Sequence, residues 1–364
     1  MIVGNLVHRP IRSLISIVAV ALEVTLILLI VGLSLGILND SRQRQAGIGA
    51  DVIVLPPGSS FIWGLSSATM STKVGDVLAK LPHVEVVAPV VTQISTAGSL
   101  EVIAGIDLPS YERLSGGFHY LKGGPFQGPN DALVDDLFAQ AKHAKIGDTI
   151  EILNNDFRIA GIVAQGKGAR KFLPISTLQD LMGAKDKTSI FYLKLDSPAN
   201  AETVVQEIKN VPGMEKYVAT PMVTYLSMMT PSSYPGLRTF INVVIGISVV
   251  IGFIVIFQAM YTAVMERTRE IGVLKSLGAS KLYIVNVVLR ETVLLAICGI
   301  VVGILVSLGA RAVLAQKLPL LRVIVTGGWI LRATGIAVAG AIVGALYPAF
   351  KAAQKDPIDA LAYE

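Results

Sequence analysis

The stretch Phe240-Ile-Asn-Val-Val-Ile-Gly-Ile-Ser-Val-Val-Ile-Gly-Phe-Ile-Val-Ile-Phe-Gln-Ala-Met-Tyr-Thr-Ala-Val264 runs without a charge. A hydrocarbon core of about 30 Å takes about 20 apolar residues in helix, so this run is long enough to cross it. Three other runs share the property. Leu14 to Leu38 holds one charge, Glu23, and meets Asn39-Asp40-Ser41-Arg42 in place of a small-residue cleavage site, so it reads as a retained helix and not a signal peptide. Thr292 to Leu308 continues backwards through Arg290 and Glu291, and Ala333 to Phe350, rich in Gly and Ala, meets Pro348 near its end. With 52% of 364 residues apolar and 16% charged, the chain departs from a soluble protein, which is roughly a quarter charged. That excludes an ordinary soluble enzyme and a disordered chain. The single cysteine, Cys298, lies inside an apolar run, leaving no internal disulfide and no thiolate-rich metal cluster.

Charge sets the orientation. From Asn39 to Gly236 there are 17 Lys+Arg and 19 Asp+Glu, a balance of −2, leaving 14 basic and 7 acidic residues of the totals of 31 and 26 to flank the apolar runs. This pattern fits a membrane protein with a near-neutral inserted domain and excludes a nucleic-acid partner. His8, Arg9 and Arg12 precede the first run, Arg267, Arg269, Lys275 and Lys281 lie between the second and third, and Lys351 and Lys355 follow the fourth. The positive-inside bias makes all three faces cytoplasmic, against the contrary vote of Arg311, Lys317 and Arg322. The expected order is a cytoplasmic start and first span over 1–38, an extracytoplasmic insert over 39–236 and a second span over 237–264. A cytoplasmic link over 265–284, a third span over 285–309, an external loop over 310–329, a fourth span over 330–350 and a cytoplasmic tail over 351–364 complete it.

The insert reads as a mixed α/β domain. Asp51–Leu55, Val84–Val91, Leu100–Ile106 and Ser189–Leu195 are strand-like, while Lys73–Leu81 and Ala199–Val211 have helical spacing. A second lobe is expected from about Gly123, with a hairpin over Gly147–Leu153 and Phe157–Val163 turning at Asn154-Asn155-Asp156. Gly161-Ile-Val-Ala-Gln-Gly-Lys-Gly168 nearly spells a phosphate-binding loop, but Gly168 stands where Mg²⁺ needs Ser or Thr, so a Gly-rich turn is the preferred reading. His83, His119 and His143 have no metal-ligand spacing, and no catalytic constellation is recognisable.

Between the second and third runs lies Met265-Glu-Arg-Thr-Arg-Glu-Ile-Gly-Val-Leu-Lys-Ser-Leu-Gly-Ala-Ser280. Ile271, Leu274 and Leu277 recur every third residue, predicting a short helix with an apolar edge among charges, stopped by Gly278. Such a helix is either a solvated loop at the interface or a docking element. The stretch Glu266–Ala279 resembles the cytoplasmic loop of the MacB/FtsX family of ABC transporter permeases, with Ser276 where Ala is usual. Tyr347-Pro-Ala-Phe-Lys-Ala-Ala353 with Asp356-Pro-Ile-Asp-Ala-Leu361, and Asn5-Leu6 with Arg9 and Arg12, are similar to that family's two ends.

The resemblance covers the whole chain and implies a four-span α-helical membrane protein carrying an inserted α/β domain of MacB-like periplasmic core type. It implies a homodimer in the cytoplasmic membrane, with both termini in the cytoplasm, that takes ATP hydrolysis from a separate cytoplasmic ABC ATPase. ATP and Mg²⁺ belong to that partner, and this chain is expected to bind no cofactor and to be no enzyme itself. Glu266, Arg267, Glu270, Ile271, Gly272, Leu274 and Gly278 inherit the docking role by position. An adaptor protein outside the membrane is compatible with it. The implied activity is export of a hydrophobic or amphipathic substrate gathered from membrane lipid or its outer face, haem or a glycolipid first. The alternative is a transducer that drives an external cell-wall hydrolase.

Within the spans, Glu23 lies about 13 Å beyond Leu14 at the helical rise, a depth at which a carboxylate faces protein, water or ligand. It is either a packing residue or a substrate contact, and Gln258 is expected at comparable depth as its hydrogen-bond partner. Gly32/Gly36, Gly299/Gly303 and Gly340/Gly344 each fit the pattern for close helix contact. Tyr225, Met228, Met229 and Tyr234 form either a juxtamembrane collar or a contact for a flat apolar ligand.

Overall fold

The computed structural model describes residues 10–59, 68–95 and 101–354. Of the family-like ends, Asn5, Leu6, Arg9 and Asp356 to Leu361 lie outside them. The chain divides into two compact units, one of 1–36, 235–317 and 321–364 and one of 37–234 and 318–320.

The first unit is helical. Helix α1 spans Pro10–Ala46 and gives this unit its residues up to Gly36. The second unit holds the elements β1 (Val52–Leu55), β2 (Met70–Ser71), α2 (Val74–Leu78), β3 (Val84–Ser95), β4 (Glu101–Ile106) and α3 (Leu108–Ser115). It continues through β5 (Tyr120–Gly123), β6 (Asp131–Asp135), α4 (Asp136–Lys142), β7 (Thr149–Ile152), β8 (Asn155–Val163), β9 (Lys171–Pro174) and α5 (Ile175–Leu181). It ends with β10 (Lys187–Thr188), β11 (Ile190–Leu195), α6 (Ala201–Asn210), β12 (Val218–Pro221) and α7 (Met222–Ser227). The helical unit resumes with α8 (Pro235–Glu266), α9 (Thr268–Ser276), α10 (Lys281–Lys317) and α11 (Gly327–Gln354).

Helices α1, α8, α10 and α11 are long and apolar enough to cross a membrane. Each outruns the apolar run that announced it, because helix hydrogen bonding continues where the side chains become polar. Thus α1 passes residue 38 to Ala46, and the loop expected over 310–329 is helical through Lys317. The seams come from small residues. Ala333, Ala337, Ala341, Ala345 and Ala349 recur every four residues on α11, each at most 1% exposed. A Cβ at Gly299 would lie 2.6 Å from Val20 Cβ, and one at Gly303 would lie 2.7 Å from the Ala21 carbonyl oxygen, so this pair seats α10 on α1. Gly32 and Gly36 make room for the backbone of 322–324, with the Ile324 amide donating to the Gly32 carbonyl at 2.9 Å. Of the third pair only Gly344 meets a neighbour, on α8.

The second unit is built on a ten-stranded mixed sheet in the order β12-β1-β11-β3-β4-β9-β6-β8-β5, with β7 also on β8. The sheet is continuous across Gly123, where a second lobe was expected to begin: β4, before it, pairs in parallel with β9, after it. Alternation assigns the faces, Ile53 and Leu55 to one cluster and Val52 and Val54 to the other, where Val204, Val205 and Ile208 of α6 pack. The β7–β8 hairpin pairs Ile152 with Asn155, so its turn is Leu153-Asn154, both at positive φ (53° and 61°), one residue earlier than expected.

Candidate functional site

Helix α9 is held from inside the helical unit. It begins after Arg267, whose φ of −109° and ψ of 19° break the run from α8, and ends where Gly278 at φ +95° lets the Ala279 amide reach the Leu274 carbonyl at 3.0 Å. Ser280 then caps α10 by accepting from the Tyr283 amide at 3.2 Å. Thr268 Oγ1 donates to the Met265 carbonyl at 2.8 Å, returning the start of α9 to the end of α8. The Arg267 guanidinium reaches Glu291 of α10 at 3.2 Å, the two side chains only 13% and 9% exposed. Lys275 Nζ donates to the Ala353 carbonyl at 3.0 Å, near the end of α11, where helix carbonyls lack intrahelical partners. With Ile271 and Gly272 buried, α9 is braced on α8, α10 and α11.

The opposite face is open. Arg269, Glu270, Val273 and Leu277 are exposed, Leu277 at 80%. The sequence grouped Ile271, Leu274 and Leu277 on one edge, but three-residue steps drift by about 60° each on a 3.6-residue helix. Ile271 therefore points inward, Leu274 is half-buried and Leu277 points outward. Of the seven residues assigned to docking, Arg267, Ile271 and Gly272 serve the inner bracing, while Glu266, Glu270 and Gly278 are exposed. Glu291 and Lys275 were missed as braces. Arg267 and Glu291 stand symmetrically about Ala279, the signal that a helical hairpin turning there would bring them together. A cavity of about 60 Å³ opens between α8, α9 and α10, with Arg267, Glu270 and Glu291 among apolar side chains.

The other candidate residues do not converge. Glu23 is 4% exposed, with Oε1 lacking a hydrogen-bond partner, and a Cβ at Gly252 of α8 would overlap its Oε2. Gln258 is exposed and is not its partner; Gly252 is what faces the carboxyl, because six residues separate the two positions along α8 and turn them to different sides. Tyr225, on α7, and Met229, just after it, lie in the core of the second unit at 2% and 6% exposure, together with Met222. Tyr234 is buried too, and of the four Met228 alone is exposed. The segment Gly166-Lys167-Gly168 clasps the end of α1: the Gly168 amide donates to the Arg44 carbonyl at 2.9 Å and Tyr111 donates to the Lys167 carbonyl at 2.8 Å. Arg170 ties Asp40 (2.8 Å) to Asp135 (3.0 Å) beside it. Among the described residues no three His, Cys, Asp or Glu side chains gather as a metal site.

The family model described as the MacB-like periplasmic core domain matches residues 13–211, more than half of the chain. A second, the FtsX-like permease C-terminal model, matches residues 242–357, which contain α9. The chain belongs to the MacB/FtsX family of ABC transporter permeases. Four apolar helices and membership of a permease family fit a multi-pass protein of the inner membrane. The macrolide export ATP-binding/permease protein MacB of Shewanella sp. (strain W3-18-1) is 27% identical over 98% of this chain and 59% of its own length. The chain thus spans about three-fifths of that relative. The uncharacterized ABC transporter permease YknZ of Bacillus subtilis (strain 168) is 27% identical over 61% of this chain and 58% of its own. The periplasmic region of MacB from Actinobacillus actinomycetemcomitans is 16% identical over 50% of this chain and 94% of that one, at a TM-score of 0.40. The family assignment rests on the two family models.

Proposed function

We propose that this chain is the membrane subunit of a MacB/FtsX-type exporter, two copies of it working with a cytoplasmic ATPase that binds the ATP and Mg²⁺. The single observation that carries the reading is α9, braced inside on three long helices and open outside. A helix that is to pass on the motion of a partner has to be stiff against its own helices and adhesive toward the partner. The Arg267–Glu291 pair, the Lys275–Ala353 bond and buried Ile271 meet the first need. Leu277, 80% exposed beside the Gly278 turn, meets the second, since burying a leucine contributes about 1.5–3 kcal/mol. Glu270 and Arg269 add charges that set register with the partner. Both chain ends and α9 then lie in the cytoplasm, and the sheet unit lies outside.

The substrate class is hydrophobic or amphipathic, haem or glycolipid first, with macrolides added by what the MacB relatives' names state. An external adaptor protein is compatible with the outer domain. The test is substrate-stimulated ATP hydrolysis by the reconstituted complex, screened over haem, lipids and macrolides. Stimulation by one class supports export. A flat response to all of them, with a cell-wall hydrolase bound to the outer domain, overturns export in favour of a transducer.

A further inference from the structure

On the helical unit, away from the inner seams, α8 and α11 present an aromatic surface that ends in a cation. Phe253, Phe257 and Tyr261 stack in successive turns of α8 with ring centroids 6.1 Å apart, and Tyr347 of α11 meets Phe257 at 5.8 Å. Phe257, Tyr261 and Tyr347 line an open concavity of about 380 Å³. Lys351, one turn beyond Tyr347, places Nζ 3.5 Å from the Tyr261 hydroxyl, 5.3 Å from the Tyr261 ring centroid and 5.8 Å from that of Tyr347. The aromatic faces and the phenol orient the ammonium, and among the described residues no carboxylate is paired with it.

From Phe253 to Tyr261 the ladder rises about 12 Å along α8, toward the helix end at Glu266. An apolar wall of this height beside a fixed cation and two phenols matches one occupant in a bilayer: an acyl chain along the rings and a phosphate at the ammonium. Phosphate oxygens accept from Lys and Tyr donors together, and an anionic headgroup leaves the local charge neutral. A zwitterionic headgroup brings its own cation to the same place and gains less. Tyr347 and the neighbouring ring of Phe350 are open, at 56% and 51% exposure.

We infer that the Phe257–Tyr261–Tyr347–Lys351 surface is a binding site for an anionic phospholipid. Its position gives it weight, since Ala353, which receives Lys275 of α9, follows Lys351 by half a turn of α11.

The experiment uses the full chain in bilayers with a tryptophan reporter, Phe257→Trp, in a background carrying Trp63→Phe and Trp329→Phe. Quenching by brominated phosphatidylglycerol is compared with quenching by brominated phosphatidylcholine over a range of mixtures. The site predicts about fivefold preference for the anionic lipid, lost in Lys351→Gln. Equal quenching by both lipids with Lys351 present overturns the inference. So does absence of quenching by either, which means that protein, such as a second copy of the chain, covers the surface. Native mass spectrometry of the chain with its tryptophans intact guards against a misfolded reporter. Phosphatidylglycerol retained in preference to phosphatidylcholine, and released by Lys351→Gln alone, supports the site, whereas identical retention by both chains refutes it.

Discussion

Gly252→Ala tests the packing of the Glu23 carboxyl. A Cβ at this position overlaps Glu23 Oε2 and lies 2.9 Å from its Cδ, so either the side chain swings away or α1 and α8 part. Overpacking of a well-filled helix contact costs about 1–3 kcal/mol. Part of that is recoverable, because Glu23 Oε1 has no hydrogen-bond partner to lose when the carboxyl turns. Glu23→Ala removes the obstruction but leaves space beside Gly252. In the double variant the new methyl enters the space that the carboxyl vacated, so the two substitutions should be less harmful together than their sum by about 1–2 kcal/mol. The assay is a double-mutant cycle on unfolding of the detergent-solubilised full chain, followed by fluorescence. Additivity within about 0.5 kcal/mol refutes the contact. Glu23→Gln supplies the functional arm: a packing carboxyl tolerates this near-isosteric change, while one that binds a cationic ligand loses substrate stimulation of ATP hydrolysis. Its burial against Gly252 predicts the first outcome.

Glu291→Gln leaves the Arg267 guanidinium without its carboxylate at a largely buried site and should destabilise by about 1–3 kcal/mol, with the exchange Arg267→Glu/Glu291→Arg recovering part of it in thermal unfolding. Gly47→Ala places a Cβ on the Gly166 carbonyl oxygen, so amide exchange at 166–168 should quicken while the β-sheet core stays protected. The hydrogen bond and charge of Asp196, 2.7 Å from His83 Nδ1, raise the imidazole above its ordinary range. The raised value means that this contact stabilises the fold below the ordinary histidine pKa and fades as pH climbs through the folded one. An NMR titration of His83 should show the elevation, and Asp196→Asn should abolish it.

The four long helices were legible because a bilayer imposes length and apolarity on anything that crosses it, and neither property depends on distant residues. Their ends were not, since α1 and α10 keep their backbone hydrogen bonds well into polar sequence. In the sheet unit the strands showed themselves locally, but the parallel pairs β4/β9 and β6/β8 join segments far apart in sequence, and that hid the continuity of the sheet across Gly123. The burial of Tyr225 and Met229 was hidden for a similar reason: only the fold reveals that α7 and the residues after it turn into the core. For α9 the helix and its glycine stop were plain. Its inner and outer faces were not, because the three-residue spacing of Ile271, Leu274 and Leu277 conceals a rotation of about 120° from first to last.

The docking of α9 is tested most directly by a photo-crosslinking side chain placed at Leu277, and separately at Val273, in the full complex. Both positions are exposed on the outward face of α9, while Leu331 on α11, 74% exposed, serves as a control on another helix. The account predicts adducts with the ATPase from Leu277 and Val273, none from Leu331, and loss of the α9 adducts together with coupled transport in Glu270→Lys. A complex that stays assembled and active while neither α9 position yields an ATPase adduct contradicts it.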